Sequence, residues 1–235
     1  MTVLDFAILA VIGISMLMGM YRGLVATLLH TGGTALSFVL SFALYPRLAA
    51  VIRSNGELIR TLLHYTDASS RLGDLSLAVR RIADLSADAM TEVVQKTNLP
   101  APFDVLLKAH LTGQVYGTTT YGSVSDYISQ TILSASINIL CFLVVFVALC
   151  LLLSAVINLL HAVFRFPLLK HLDMVFGALF GLLRGILFCY ALFAVIPLVQ
   201  SMLPDKVTAL LLDGSTLAPI FNNGQLILAI MNGKI

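Results

Sequence analysis

The chain is 235 residues long, with 59% hydrophobic residues, only 11% charged ones and a mean hydropathy of +0.97. Ordinary soluble domains carry about 25% charged residues, so this is not one of them. The net charge of +2 comes from scattered Lys and Arg, with no basic stripe interleaved with aromatics, and nucleic-acid binding has no support.

Four segments reach the roughly 20 apolar residues that a bilayer core demands of a helix. They run from Val3 to about Met20, from Leu24 to Leu44, from about Ile132 to Leu160, and from about Met174 to Val199. They are too long for buried strands and lack the alternating polarity of a membrane barrel. The expected class is therefore all-α: a polytopic helical membrane protein with four transmembrane helices. The first segment is read as a span and not as a cleaved signal peptide. A signal needs a basic start and a small-residue cleavage site, whereas Asp5 is the only early charge and a second span follows almost at once.

The first two spans are separated only by Gly19-Met20-Tyr21-Arg22-Gly23 and should form a tight hairpin. Tyr45-Pro46-Arg47 is expected to end the second, because proline disfavours helix before it and Tyr and Arg suit the interface. Residues 46–131 form an insert with balanced charges. Leu48, Ile52, Ile59, Leu62 and Leu63 approximate one apolar helical stripe, and Leu75, Val79, Ile82, Leu85, Ala89 and Val93 a second. Pro100-Ala101-Pro102 should end that second helix, a short helix is expected over Phe103–Leu111, and Gly113–Gly122 reads as a loop. The insert is expected on or near the membrane, its stripes facing headgroups or the bundle; the alternative is a small independent helical domain.

The third span is expected to start early, near Ser123, and to end at Phe166-Pro167. A connector with Arg165, Lys170, His171 and Asp173 leads into the fourth. These boundaries give an N-terminal transmembrane hairpin over 1–45, the amphipathic helical insert over 46–131 between the second and third spans, a C-terminal transmembrane hairpin over 132–200, and an extramembrane tail over 201–235.

The candidate functional residues come from a repeated phrase. Gly19-x-x-Arg22-Gly23 recurs as Gly181-x-x-Arg184-Gly185, once in each hairpin, and Gly177, Gly181 and Gly185 form a ridge of small residues at four-residue spacing. Such ridges let helix backbones approach closely. Arg184 lies about ten residues into its span, near mid-membrane, where a cation faces a bundle interior or watery cavity, or snorkels. Arg22 and Asp173 must lie on the same membrane side and are expected to pair as a latch between the hairpins. Asp5 opens the first span on the other side, where the helix dipole favours a carboxylate. His30, Asn138 and Asn158 read as interhelical hydrogen-bonding groups.

No phosphate-binding loop, zinc helix, nucleophile elbow or other nucleophile–base or metal-ligand pair is visible. Cys141, Cys150 and Cys189 lie in apolar spans and read as small hydrophobes. The chain is thus expected to be no enzyme and to need no cofactor or metal.

Two passages resemble the CvpA family of bacterial inner-membrane proteins, named for colicin V production. They are Leu4-Asp5 opening a span that ends Gly19-Met20-Tyr21-Arg22-Gly23-Leu24, and Leu172-Asp173-Met174-Val175-Phe176-Gly177-Ala178-Leu179-Phe180-Gly181-Leu182-Leu183-Arg184-Gly185. Ser215-Thr216-Leu217-Ala218-Pro219 is similar to a short Ser-x-Leu-x-Pro element beyond that family's last span. The resemblance covers the four spans and the start of the tail, and does not clearly extend to the insert. It implies a multi-pass protein of the bacterial inner membrane tied to bacteriocin or toxin production and envelope integrity.

Two functions are carried forward. One is a non-enzymatic scaffold or assembly factor; the other is an oligomeric small-solute channel or transporter using Arg184, since repeats and intramembrane charges mark transport proteins. The expected partners are the lipid bilayer, further copies of the chain, and a membrane or secretion-related protein. Arg22, Arg165 and Lys170 sit on the hairpin side and Arg47, Arg53, Arg60 and Lys206 on the other, and the positive-inside rule, which discounts long segments, narrowly favours hairpins inside.

Overall fold

A computed structural model describes residues 2–65, 72–113, 122–163, 170–202 and 214–233. Helices dominate them: α1 (Val3–Arg22), α2 (Leu24–Arg53), α3 (Gly56–Tyr65), α4 (Leu75–Ala78), α5 (Ala87–Thr97), α6 (Phe103–Gly113), α7 (Val124–Val163), α8 (Lys170–Phe193), α9 (Ile196–Met202), α10 (Ala218–Phe221) and α11 (Gly224–Asn232). Among the described residues there is no strand, only one isolated bridge between Arg81 and Ser123. Four stretches are long and apolar enough to cross a membrane: Val3–Arg22, Leu24–Arg53, Val124–Leu159 and Asp173–Ser201. Large apolar side chains such as Phe6, Val39, Leu151, Leu159 and Val175 project outward along them, as lipid-facing surfaces require.

The chain forms two compact units, one of residues 1–45, 141–196 and 203–223, the other of 46–140, 197–202 and 224–235. In the first unit α1 packs along α8. The α2 segment joins α8 through Thr31, whose hydroxyl donates to the Phe180 carbonyl at 2.9 Å. It joins α7 through His30 and Asn158, 3.1 Å apart, and through Phe38 edge-on to Phe142 and Phe146. Hydroxyls within apolar helices must find a carbonyl or lose a hydrogen bond, and Thr34, Ser37 and Ser41 satisfy this within their own helix by donating four residues back.

The second helix does not stop at Tyr45-Pro46. It continues through Pro46 to Arg53. Proline forfeits one backbone bond and crowds the preceding turn, but Tyr45 is fully buried against Phe42 and Phe142. In a membrane helix tertiary packing outweighs that local defect.

In the second unit, the expected helix over 75–93 is broken. The chain makes only the short α4, a 3-10 turn at Ile82–Asp84, and then α5. One tertiary contact and one local contact explain the break. The backbone nitrogen of Val124 donates to the Arg80 carbonyl at 3.0 Å, and the Ser86 side chain accepts from Ala89 N at 3.3 Å, capping a fresh helix. The α5 helix ends at Asn98, in the left-handed conformation suited to a C-terminal cap. Phe103, Leu106, Leu107 and Leu111 of α6 are buried, as are Ile82, Leu85 and Val93 from the expected stripe. Three residues of the second stripe thus pack inside this unit, while Val79 of the same stripe, and Leu58 and Val105 outside both stripes, stay exposed. Asn138 accepts from Arg53 at 2.5 Å and donates to the Met231 carbonyl at 2.7 Å, the structural role expected of a polar group in a span. The third span starts at Val124, close to the expected Ser123. The loop expected after Gly113 and most of the connector before Asp173 lie outside the described residues.

Candidate functional site

The repeated phrase comes together in space as the seam between α1 and α8. A Cβ added to Gly19 would overlap the carbonyl of Gly177 and reach 3.0 Å from the Cα of Gly181. One added to Gly177 would overlap the Gly19 carbonyl, and one on Gly185 would come to 2.9 Å from the Cα of Ile12. Backbone meets backbone along the whole ridge, a contact only glycine permits. Ser15 continues it, its hydroxyl donating to the Gly181 carbonyl at 2.8 Å. Thr27 of α2 donates to the Gly19 carbonyl at 3.1 Å.

At one end of the seam is the turn between α1 and α2. Gly23 has a φ of +80°, in the region that favours glycine, and the space its side chain would fill holds the Asp173 carboxylate. That carboxylate accepts from the backbone nitrogen of Leu24 at 2.6 Å. The expected Arg22–Asp173 ion pair does not form: among the described residues Arg22 has no ion pair, and its side chain is exposed. The unpaired amides opening α2, with the positive end of its dipole, offer the carboxylate a closer donor.

Asp5 lies at the opposite end, about 26 Å away along α1 at ~1.5 Å per residue. It is more than a helix-opening carboxylate. Completely buried, it accepts from Thr2 N at 2.9 Å, the Ser215 hydroxyl at 2.5 Å, Leu217 N at 3.0 Å and Thr216 N at 3.4 Å. The Ser215 hydroxyl accepts in turn from Ala218 N at 3.0 Å. A buried carboxylate with four donors is fully compensated. Beneath it Ile8, Cys189, Phe193, Ala218 and Phe221 form an apolar cluster, so the Ser-x-Leu-x-Pro element is the other half of the Asp5 site.

Arg184 is placed differently. Its guanidinium stands over the Phe188 ring at 5.4 Å. Its Nε is buried without a hydrogen-bond partner, and no described carboxylate is within ion-pair distance. With Val11, Ile14, Ser15, Met18 and Phe188 it lines an open-sided cavity of about 230 Å³.

Three contributors escaped the sequence reading: Ser15, Thr27 and Thr31. Their spacing held the signal, since Ser15 precedes Gly19 by four residues, as Thr27 precedes Thr31, which puts each pair on one helix face.

Together these features define a multi-pass helical membrane protein whose two repeated glycine motifs form a backbone-to-backbone seam, with a buried carboxylate stapling its first span to a segment beyond its last. The chain belongs to the Colicin V production protein family, which matches residues 4–90 and 106–225. The match runs through much of the insert and omits 91–105, so the insert is more a part of the family pattern than the motifs alone suggested. No curated protein and no solved structure matches the chain.

Proposed function

We propose that this protein is a non-enzymatic scaffold or assembly factor of the bacterial inner membrane, serving toxin production and envelope maintenance. The observation that carries this reading is the use to which its polar span residues are put. Asp5, Ser15, Thr27, Thr31 and Asp173 each hydrogen-bond to backbone across helices or to the tail. Groups that a catalyst would keep poised are here occupied in holding the bundle together. The insert then offers a surface to a membrane or secretion-related partner. Deleting residues 50–125 should abolish toxin export and sensitise the envelope while the spans still insert; an unchanged phenotype with stable protein would sink this reading.

The second reading is an oligomeric channel or transporter for a small solute. Arg184 favours it, because an uncompensated cation within a span is a feature of substrate pathways. Solute and ion flux through proteoliposomes, with Arg184→Ala as the matched variant, separates the two. Flux that requires Arg184 supports the transporter, and silence from folded, inserted protein counts against it.

A further inference from the structure

Val11, Ile14, Met18 and Arg22 follow one another at three- and four-residue spacing and so share a face of α1. The first three line the cavity with Arg184 and Phe188, and Arg22 closes the same face of α1 one turn beyond Met18. Ile14 and Met18 are about half exposed, at 54% and 47%, so the cavity opens on the lipid-facing side of the seam. Long helical side chains lean toward their helix N-terminus, which for Arg184 is the membrane face where Arg22 and Asp173 sit. Asp173 forms no ion pair with either cation, its carboxylate being held at the Leu24 amide.

The cavity therefore holds one cation over an apolar trough, with Arg22 beyond it on the same face of α1, and among the described residues nothing anionic pairs with either cation. A cation left without counter-charge at such depth is costly, and the bilayer itself supplies an anion attached to a hydrocarbon chain. We propose that Arg184 and Arg22 bind the phosphate of an acidic phospholipid, one of whose acyl chains lies in the trough formed by Val11, Ile14, Met18 and Phe188. Net charge is the basis of selection, because a zwitterionic headgroup brings its own cation to a site that already has two. The lipid seals the open side of the α1–α8 seam and couples its packing to the acidic-lipid content of the membrane.

The test is native mass spectrometry of the full-length protein in detergent with phosphatidylglycerol or phosphatidylcholine of identical acyl chains. The protein should retain one phosphatidylglycerol in preference to phosphatidylcholine, and Arg184→Gln and Arg22→Gln should each weaken that preference roughly fivefold, the effect of one basic residue near an acidic membrane surface. Ile14→Trp, which fills the trough at a lipid-exposed position and leaves both cations in place, should also expel the lipid. This variant and Arg22→Gln decide the matter if Arg184→Gln does not fold. Equal retention of the two lipids, or an unchanged preference in folded Arg184→Gln or in both of the other variants, overturns the proposal. Inorganic phosphate displacing phosphatidylglycerol at equal concentration also overturns it, since the site would then take a free anion.

Discussion

The Asp173 carboxylate lies 2.6 Å from the backbone nitrogen of Leu24, in the space that a side chain on Gly23 would need. The start of the fourth span is thereby fixed to the turn between the first two by a charge and a helix amide, with no second side chain involved. A carboxylate–amide bond of this kind contributes about 1.5–3 kcal/mol. Asp173→Ala should lose about that much stability, Asp173→Asn less because an acceptor remains, and the exposed Arg22→Ala under about 0.5 kcal/mol. Reversible unfolding in mixed micelles measures all three, and an Arg22→Ala loss equal to that of Asp173→Ala would contradict the assignment.

The glycines of the seam are not equivalent to the others in the spans. Gly19→Ala and Gly181→Ala must push α1 and α8 apart and should cost about 1–3 kcal/mol each. Gly13 and Gly32 have open space where a Cβ would go, and Ala there should be neutral or slightly stabilising through helix propensity. Thermal unfolding of the four variants in one detergent shows whether the ranking holds.

Asp5 and Ser215 should be energetically coupled. Asp5→Ala leaves the Ser215 hydroxyl and the amides of Leu217 and Thr216 without their acceptor, while Ser215→Ala removes one donor of four. A double-mutant cycle should give an interaction term of about 0.5–3 kcal/mol. Cleavage of the 214–223 segment by protease should rise in Asp5→Ala; additive effects with unchanged cleavage would show the staple to be idle.

In the second unit, Lys96 bridges Asp74 at 3.2 Å and Glu92 at 2.9 Å. The Ser76 hydroxyl, then Lys96, hold the Asp74 carboxyl down at about 2, below its ordinary 3.8, while Glu92, then Asp74, raise the Lys96 ammonium above its ordinary 10.5. A depressed carboxyl stabilises the fold above the unfolded value and loses that contribution as pH falls through the folded one. The Asp74 contribution should therefore be intact above pH 3.8 and vanish towards pH 2. The raised ammonium behaves in the opposite sense: its contribution is whole below pH 10.5 and lost at higher pH. Amide exchange over 74–97 should quicken at both extremes, and Asp74→Asn should flatten the acid limb.

What could be read from the sequence was whatever is local and repeated. Twenty apolar residues in a row declare a span whatever they touch, and glycines at 177, 181 and 185 share a helix face whatever they face. Pro46 and the 75–93 stripe misled because propensity and periodicity describe an isolated segment, whereas Tyr45 burial and the Arg80–Val124 bond are tertiary facts. The Arg22–Asp173 pairing had the right membrane side and the wrong atoms: charge suggested a side-chain partner, but the free amide of Leu24 was nearer. Ser215 stood out as a motif, yet nothing in it named Asp5 as its partner 210 positions away.

That separation sets an order on biogenesis. At roughly 5–20 residues per second, the ribosome needs on the order of ten to forty seconds after Asp5 emerges before Ser215 exists to receive it. Throughout that interval the nascent first helix carries a carboxylate lacking three of its four final donors. The first of the four spans is thus completed only after the segment beyond the fourth has been made, and a chain halted before Ser215 holds that carboxylate without three of its donors.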